Sequence, residues 1–246
     1  MHAIQPGAVR AVWEDIARTL PRPKALLIAS AHWETNLPML TGNARPETIH
    51  DFYGFPKPLY EIQYPAPGAP TLGERALALL KGAGFTAAID GCRGLDHGAW
   101  SPLLYMYPEA DVPVVQVSVQ TPLGPAHHLA LGRALAPLSH QGILVFGSGH
   151  MTHNLRERRG DHAAPLPYVK EFQAWVQERI EDRDFDALTD YRARSPGGVR
   201  AHPTDEHFLP LFVALGAADR DYRAERLYDG IETGSLAMDA YLFRAA

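Results

Sequence analysis

Apolar positions fall along this chain in two rhythms. Short unbroken runs, such as "ALLIA" at 25–29 and "GILVFG" at 142–147, read as strands buried on both faces. Longer stretches with apolar residues three and four apart read as amphipathic helices. On this basis residues 8–19 form a helix that stops before "PRP", and 24–30, "KALLIAS", form a strand. Residues 69–83 follow as a helix, 85–89 as a strand and 100–107 as a short helix. "VPVVQVSV" at 112–119 alternates and is β-branched like a strand, and 125–139 look helical. "GILVFGSG" at 142–149 is a strand ending in glycines. Residues 165–181 and 205–217 read as helices, and 222–243 as one or two closing strands. Between them, 42–70 is rich in Pro and Gly and reads as an irregular surface with a possible function.

Strands that alternate with helices predict an α/β fold, a single domain with a mostly parallel or mixed central sheet flanked by helices. No internal repeat or low-complexity linker divides it. Three strand ends run into histidine-bearing segments: Ser30-Ala31-His32, Asp96-His97, and Ser148-Gly149-His150-Met151-Thr152-His153. Open α/β sheets bind ligands outside the carboxyl ends of their strands, so these segments point to one shared crevice.

Composition narrows the chemistry. The 246 residues are 46% apolar and 21% charged, with a net charge of −5, as in an ordinary globular protein. The most basic stretch, "RERRGDH" at 156–162, is short and carries its own acids, so no nucleic-acid partner is expected. No run is long and apolar enough to span a membrane, and the opening residues, broken by charges and Pro, do not read as a signal peptide. A single cysteine, Cys92, excludes a disulfide framework and a thiolate zinc site within the chain. It fits a reducing compartment, which predicts a cytoplasmic protein. With twelve histidines, a metal site would use imidazole and carboxylate, ligands suited to Zn or Fe(II).

Taken alone, His32, His97 and His153 each read as hydrogen-bonded structural residues; convergence gives them weight. Glu206 and His207 sit at the start of a predicted helix, with Thr204 or Asp205 as its N-cap. They either decorate the first turn or aim into the crevice. His50 and Asp51 share the 42–70 loop with Phe52, Tyr53 and Phe55, which either pack the loop or line a pocket for a flat ligand. His127, His128, His140 and His162 read as solvated surface. Gly147-Ser148-Gly149 is no phosphate loop, because no GK[ST] follows, and HExxH is absent.

"SAHWET", "TIHDFYGFP", "YPAPG", "LDHGAW", "THNL", "PTDEHFLPL" and "GSLAMDAY", in that order, resemble the DODA-type extradiol ring-opening dioxygenases. These 4,5-DOPA dioxygenase-like proteins are related to the catalytic subunit of protocatechuate 4,5-dioxygenase, and the resemblance covers nearly the whole chain. It implies a class III extradiol site with one mononuclear divalent metal, Fe(II) or Zn(II). The substrates would be a small aromatic diol and O2, and the product a muconic semialdehyde. His32 and His207 would be ligands. His153 would be a further ligand or the acid–base residue, with His97 in the pocket binding substrate and supporting proton transfer. His50, Asp51 and Phe52 would form the substrate rim. His150 corresponds to no histidine carried over from the family.

One departure stands out. Family members usually begin with a strand ending in "HGSP", whose His is a ligand, and this sequence starts just after that point. The expectation is a single catalytic domain, residues 1–246, without that first strand and ligand; His2 is not expected to substitute. Such a chain would be a shortened form with an impaired site, unless the true start lies upstream. Two other readings remain open: a zinc-dependent hydrolase with a histidine-bound water, or a non-catalytic metal-binding homologue.

Overall fold

The computed structural model describes residues 3–4, 7–218 and 220–245, so His2 lies outside the described residues. In chain order the first elements are α1 (Ala8–Thr19), β1 (Ala25–Glu34), β2 (Met39–Thr41), α2 (Lys57–Glu61), α3 (Pro70–Gly82) and β3 (Ala88–Asp90). Then come α4 (His97–Met106), β4 (Val114–Val119), α5 (Gly124–Leu135), β5 (Ile143–Ser148) and α6 (Pro167–Glu181). Short helices α7 (Phe185–Thr189), α8 (Tyr191–Arg194) and α9 (Gly198–Ala201) lead to α10 (Leu209–Ala217). The strands β6 (Tyr222–Tyr228), β7 (Ile231–Glu232), β8 (Leu236–Ala237) and β9 (Ala240–Ala245) close the chain.

The central sheet has the order β3-β2-β4-β1-β5. β1 runs parallel to β4 and β5, and β2 runs parallel to β3 but antiparallel to β4, so the sheet is mixed. The period-two pleat sends neighbouring residues of β1 to opposite faces. Leu27 and Ala29 pack with Leu72 and Leu80 of α3, Leu131 and Leu135 of α5 and Val213 of α10. Leu26 and Ile28 pack with Leu103 and Met106 of α4 and, through it, with Trp13 and Ile16 of α1. Both faces are covered, which is why "ALLIA" reads as an unbroken apolar run. Helices α5 and α10 cross closely where glycines meet: a Cβ on Gly132 would stand 2.2 Å from the Val213 carbonyl.

The sequence places most of these elements within a few residues. Three differences have physical causes. β1 does not stop at Ser30 but continues through His32 to Glu34. β2, three residues long, carries too short a pattern to register as a strand. The closing stretch, expected as one or two strands, is four, which pair as two separate antiparallel ribbons, β6–β9 and β7–β8.

His128 also departs from its expected surface position and is fully buried on α5. Its Nδ1 lies 2.7 Å from the Gly124 carbonyl, and its Nε2 accepts the Gln120 backbone N–H at 3.0 Å. Those contacts fit a neutral ring, and burial pushes its pKa down to about 4. Below the unfolded pKa near 6.5 the unfolded chain takes up a proton that the folded ring refuses until about pH 4. Stability is therefore complete above that window and falls as pH drops through it, by up to about 3 kcal/mol from this ring. His202, pushed by burial to about 3, acts in the same direction. The urea midpoint should fall between pH 7 and pH 4.5, and less steeply in His128→Gln; equal slopes would remove His128 as a cause.

Candidate active site

The site begins where β1 outruns its neighbours. β1 pairs with β5 as far as Ser30 opposite Ser148, and its register with β4 shifts between Ala29 and Glu34. His32 lies in that irregular stretch. His97 is the first residue of α4, directly after Asp96, whose carboxylate caps the helix by accepting the Ala99 N–H. The rings of His32 and His97 lie 3.9 Å apart, centre to centre. Asp51 joins them: its Oδ2 is 2.9 Å from His97 Nδ1 and 3.5 Å from His32 Nδ1, while its Oδ1 accepts the His97 backbone N–H at 2.9 Å.

A second group forms beyond β5. The His150 N–H donates to the His207 carbonyl at 2.8 Å, and the His153 N–H to the Ala201 carbonyl at 2.8 Å. The His153 and His207 rings are stacked, 3.4 Å apart and 15° from parallel. His207 lies in the turn before α10, and its Nδ1 is 3.0 Å from Glu206 Oε1. Such a carboxylate fixes the ring's orientation and leaves Nε2 free as a ligand atom. The expected caps serve differently. The helix begins later, at Leu209; Thr204 donates to Glu206, and Asp205 accepts from the Tyr191 hydroxyl.

Among the described residues, two groups of three each bring potential ligand atoms within 4.8 Å of one another: His150, His153 and His207, and His32, Asp51 and His97. The expected ligand trio of His32, His153 and His207 is thus divided between them. The groups meet where the His32 and His207 rings stand edge to face at 5.0 Å.

Burial sets the charge of these rings. Burial first, then the facing His97 and His207, pushes His32 down to about 4. Burial and His207 push His153 to about 3, and His150 is held well below its ordinary value for the same reasons. These three are neutral at pH 7 and keep a lone pair for a metal. Burial alone would raise the Asp51 carboxyl, but its contacts with His97 and His32 hold it below the usual range. Glu206 follows the same balance: hydrogen bonds from His207, Thr204 and backbone outweigh burial and bring it to about 2.

The aromatic loop stands beside His97. A small cavity of about 60 Å³ is walled by Phe52, Phe55, Leu59, His97 and Trp100. His50 sits behind this wall, its Nε2 2.9 Å from the Ile62 carbonyl and its ring packed on Phe52 and Trp100. Tyr53 points outward, 89% exposed.

The family profile described as the catalytic LigB subunit of aromatic ring-opening dioxygenase matches residues 7–237. The chain belongs to the LigB family. Its relatives include the 4,5-DOPA dioxygenase extradiol of Beta vulgaris, 43% identical over 90% of this chain and 83% of that protein. The 4,5-DOPA dioxygenase extradiol of Escherichia coli (strain K12) is 39% identical over 97% of this chain and 89% of that one. A crystal structure of an uncharacterized protein from Escherichia coli K12 matches with a TM-score of 0.83 and 34% identity, covering 96% of this chain and 92% of that one.

LigB-family enzymes are metal-dependent, and the donor set of this LigB chain fits a metal. Its Asp51 Oδ2, His97 Nδ1 and His150 Nδ1 are buried without a hydrogen-bond partner, in a crevice of imidazoles. The Asp51–His97 contact is close but lacks hydrogen-bond alignment. Imidazoles with one carboxylate suit Fe(II) or Zn(II). Among the described residues no helix is long and apolar enough to cross a membrane. Two features of the site escaped the sequence reading. Asp96 before an apolar helical run is a recognisable N-cap signal. His150 shares with His153 the segment after β5 that points to the crevice, but the family resemblance carried over only His153 from it.

Proposed function

We propose that this chain is an extradiol dioxygenase that opens the ring of a small catechol with O2 to a muconic semialdehyde-type product. Both oxygen atoms enter the product, and the ring carbon–carbon bond beside the diol is the one that breaks. One observation carries the reading: neutral imidazoles from separate segments converge beside an aromatic-walled cavity. The names of the relatives from Beta vulgaris and Escherichia coli favour a DOPA-like dihydroxyphenyl substrate.

His32, His153 and His207 would hold the metal. Fe(II) would supply the one-electron chemistry that O2 needs to react with a spin-paired catechol, which Zn(II) cannot supply. Phe52 and Trp100 would pack against the substrate ring, with His50 bracing them from behind. His97 stands on the cavity wall with Asp51 at its Nδ1, so it can take a phenolic proton at Nε2 and return it later. The main proton role would fall to His97 rather than His153, because His153 stacks on His207 among the ligand atoms.

The test is reconstitution with Fe(II) without air, followed by O2 uptake with a panel of catechols that includes DOPA. One O2 consumed per yellow ring-opened product is expected. A chain that binds Fe(II) and consumes no O2 with any catechol would overturn the reading.

A further inference from the structure

We propose that His150 is a direct metal ligand, completing with His153 and His207 a three-imidazole seat for a divalent transition metal. The inference rests on the metal-dependent reading above and adds a ligand to it. His150 has a ligand atom within 4.8 Å of those of His153 and His207. Its ring lies 5.1 Å from that of His153 and 5.5 Å from that of His207. Its Nδ1 is buried and has no hydrogen-bond partner. A buried polar atom left unpaired costs about 1–3 kcal/mol, so such an atom calls for an explanation. A bound cation provides one.

The backbone is built to hold this ring in place. The His150 N–H is bonded to the His207 carbonyl, so two of the three imidazoles are clamped together through their main chains. That approach requires glycine at the preceding position: a Cβ on Gly149 would stand 2.2 Å from the His207 oxygen. The third imidazole is tied down independently, through the His153 N–H to Ala201. With His32, already counted as a ligand above, the metal would have four nitrogen donors, three of them from this seat. His32 faces the seat from across His207.

The test is Co(II) binding, read by its visible absorption bands and by metal content after dialysis, in the wild type, His150→Gln, His150→Ala and the exposed-loop control His162→Ala. One Co(II) per wild-type chain is expected, with the control unchanged. Both His150 variants should lose more than about a hundredfold in affinity, exceeding the 10–100-fold typical of an outer-shell partner. Their residual spectra should change, while circular dichroism and melting temperature show an intact fold. A smaller loss, or an unchanged spectrum in folded variants, overturns the His150 assignment and leaves the dioxygenase reading standing. A wild type that takes up no Co(II), Fe(II) or Zn(II) overturns both.

Discussion

His97→Gln is expected to lower kcat on a catechol by about 10²–10⁴-fold while metal content stays at the wild-type level. The argument is positional. His97 opens α4, its backbone N–H is fixed to Asp51 Oδ1, and its Nδ1 lies 2.9 Å from Asp51 Oδ2. The same ring forms part of the wall of the aromatic cavity, against Phe52 at 5.4 Å between ring centres. A ring whose backbone N–H is held by a carboxylate, with that carboxylate's other oxygen close to its Nδ1, and which faces the substrate space, is suited to move protons. Glutamine keeps the polarity and much of the volume but cannot exchange a proton near neutral pH. Because only a transition-state interaction is removed, kcat and kcat/KM should fall together. Asp51→Asn should produce a smaller loss of the same kind, since it removes the orienting charge and keeps the base. Metal analysis decides the outcome. Loss of metal together with turnover would make His97 a ligand, in the group it forms with His32 and Asp51.

How much of this was legible in the sequence depends on how local each signal is. β1 announces itself because a strand covered on both faces needs apolar residues at every position. β4 shows by its alternation, with Gln116 and Ser118 buried among valines, whereas β5, expected to be buried on both faces, is buried only at Ile143 and half-buried beyond it. Helices α1 and α3 carry their own stop signals, the "PRP" after α1 and Gly82 and Gly84 at the end of α3, and the bounds of α1, α3 and α6 lie close to those expected. β2 and the short helices α7 to α9 are set by tertiary contacts that no four-residue window contains. The resemblance identified the family, and most histidines it picked out, His32, His97, His153 and His207, do converge. Their division into two groups was not legible, because it depends on how far β1 runs past Ser30 and on the turn before α10. His128 misled for a related reason. Polar residues on a helix default to the solvent side, and only the Gln120 N–H and the Gly124 carbonyl show why this ring is inside.

Asp96→Ala should destabilise the protein by about 3–5 kcal/mol, the usual cost of breaking a buried ion pair by removing one partner. Asp96 is fully buried, and each of its oxygens is used. Oδ1 accepts from the Ser30 hydroxyl at 2.7 Å and caps α4 at Ala99; Oδ2 accepts from Gln116 Nε2 at 2.8 Å and Arg93 Nη2 at 3.1 Å. Alanine would leave the Arg93 charge with only the face of Trp33, 4.7 Å from the ring centre, and the His32 carbonyl. Losing the cap alone costs about 1 kcal/mol. At roughly 2–4 °C per kcal/mol for a chain of this size, the melting temperature should drop by about 10 °C. Asp96→Asn retains most of the hydrogen-bonding geometry without the charge, so it should lie between the two. The network also ties the start of α4 to β1 two residues before His32, where a Cβ on Gly98 would stand only 2.4 Å from Ser30 Oγ. Loosening it should let His97 move relative to His32, so turnover should fall in Asp96→Ala even well below its melting temperature. A wild-type melting temperature in Asp96→Ala would mean that the buried charge is solvated, and that α4 is held by its packing on α1 and β1 alone.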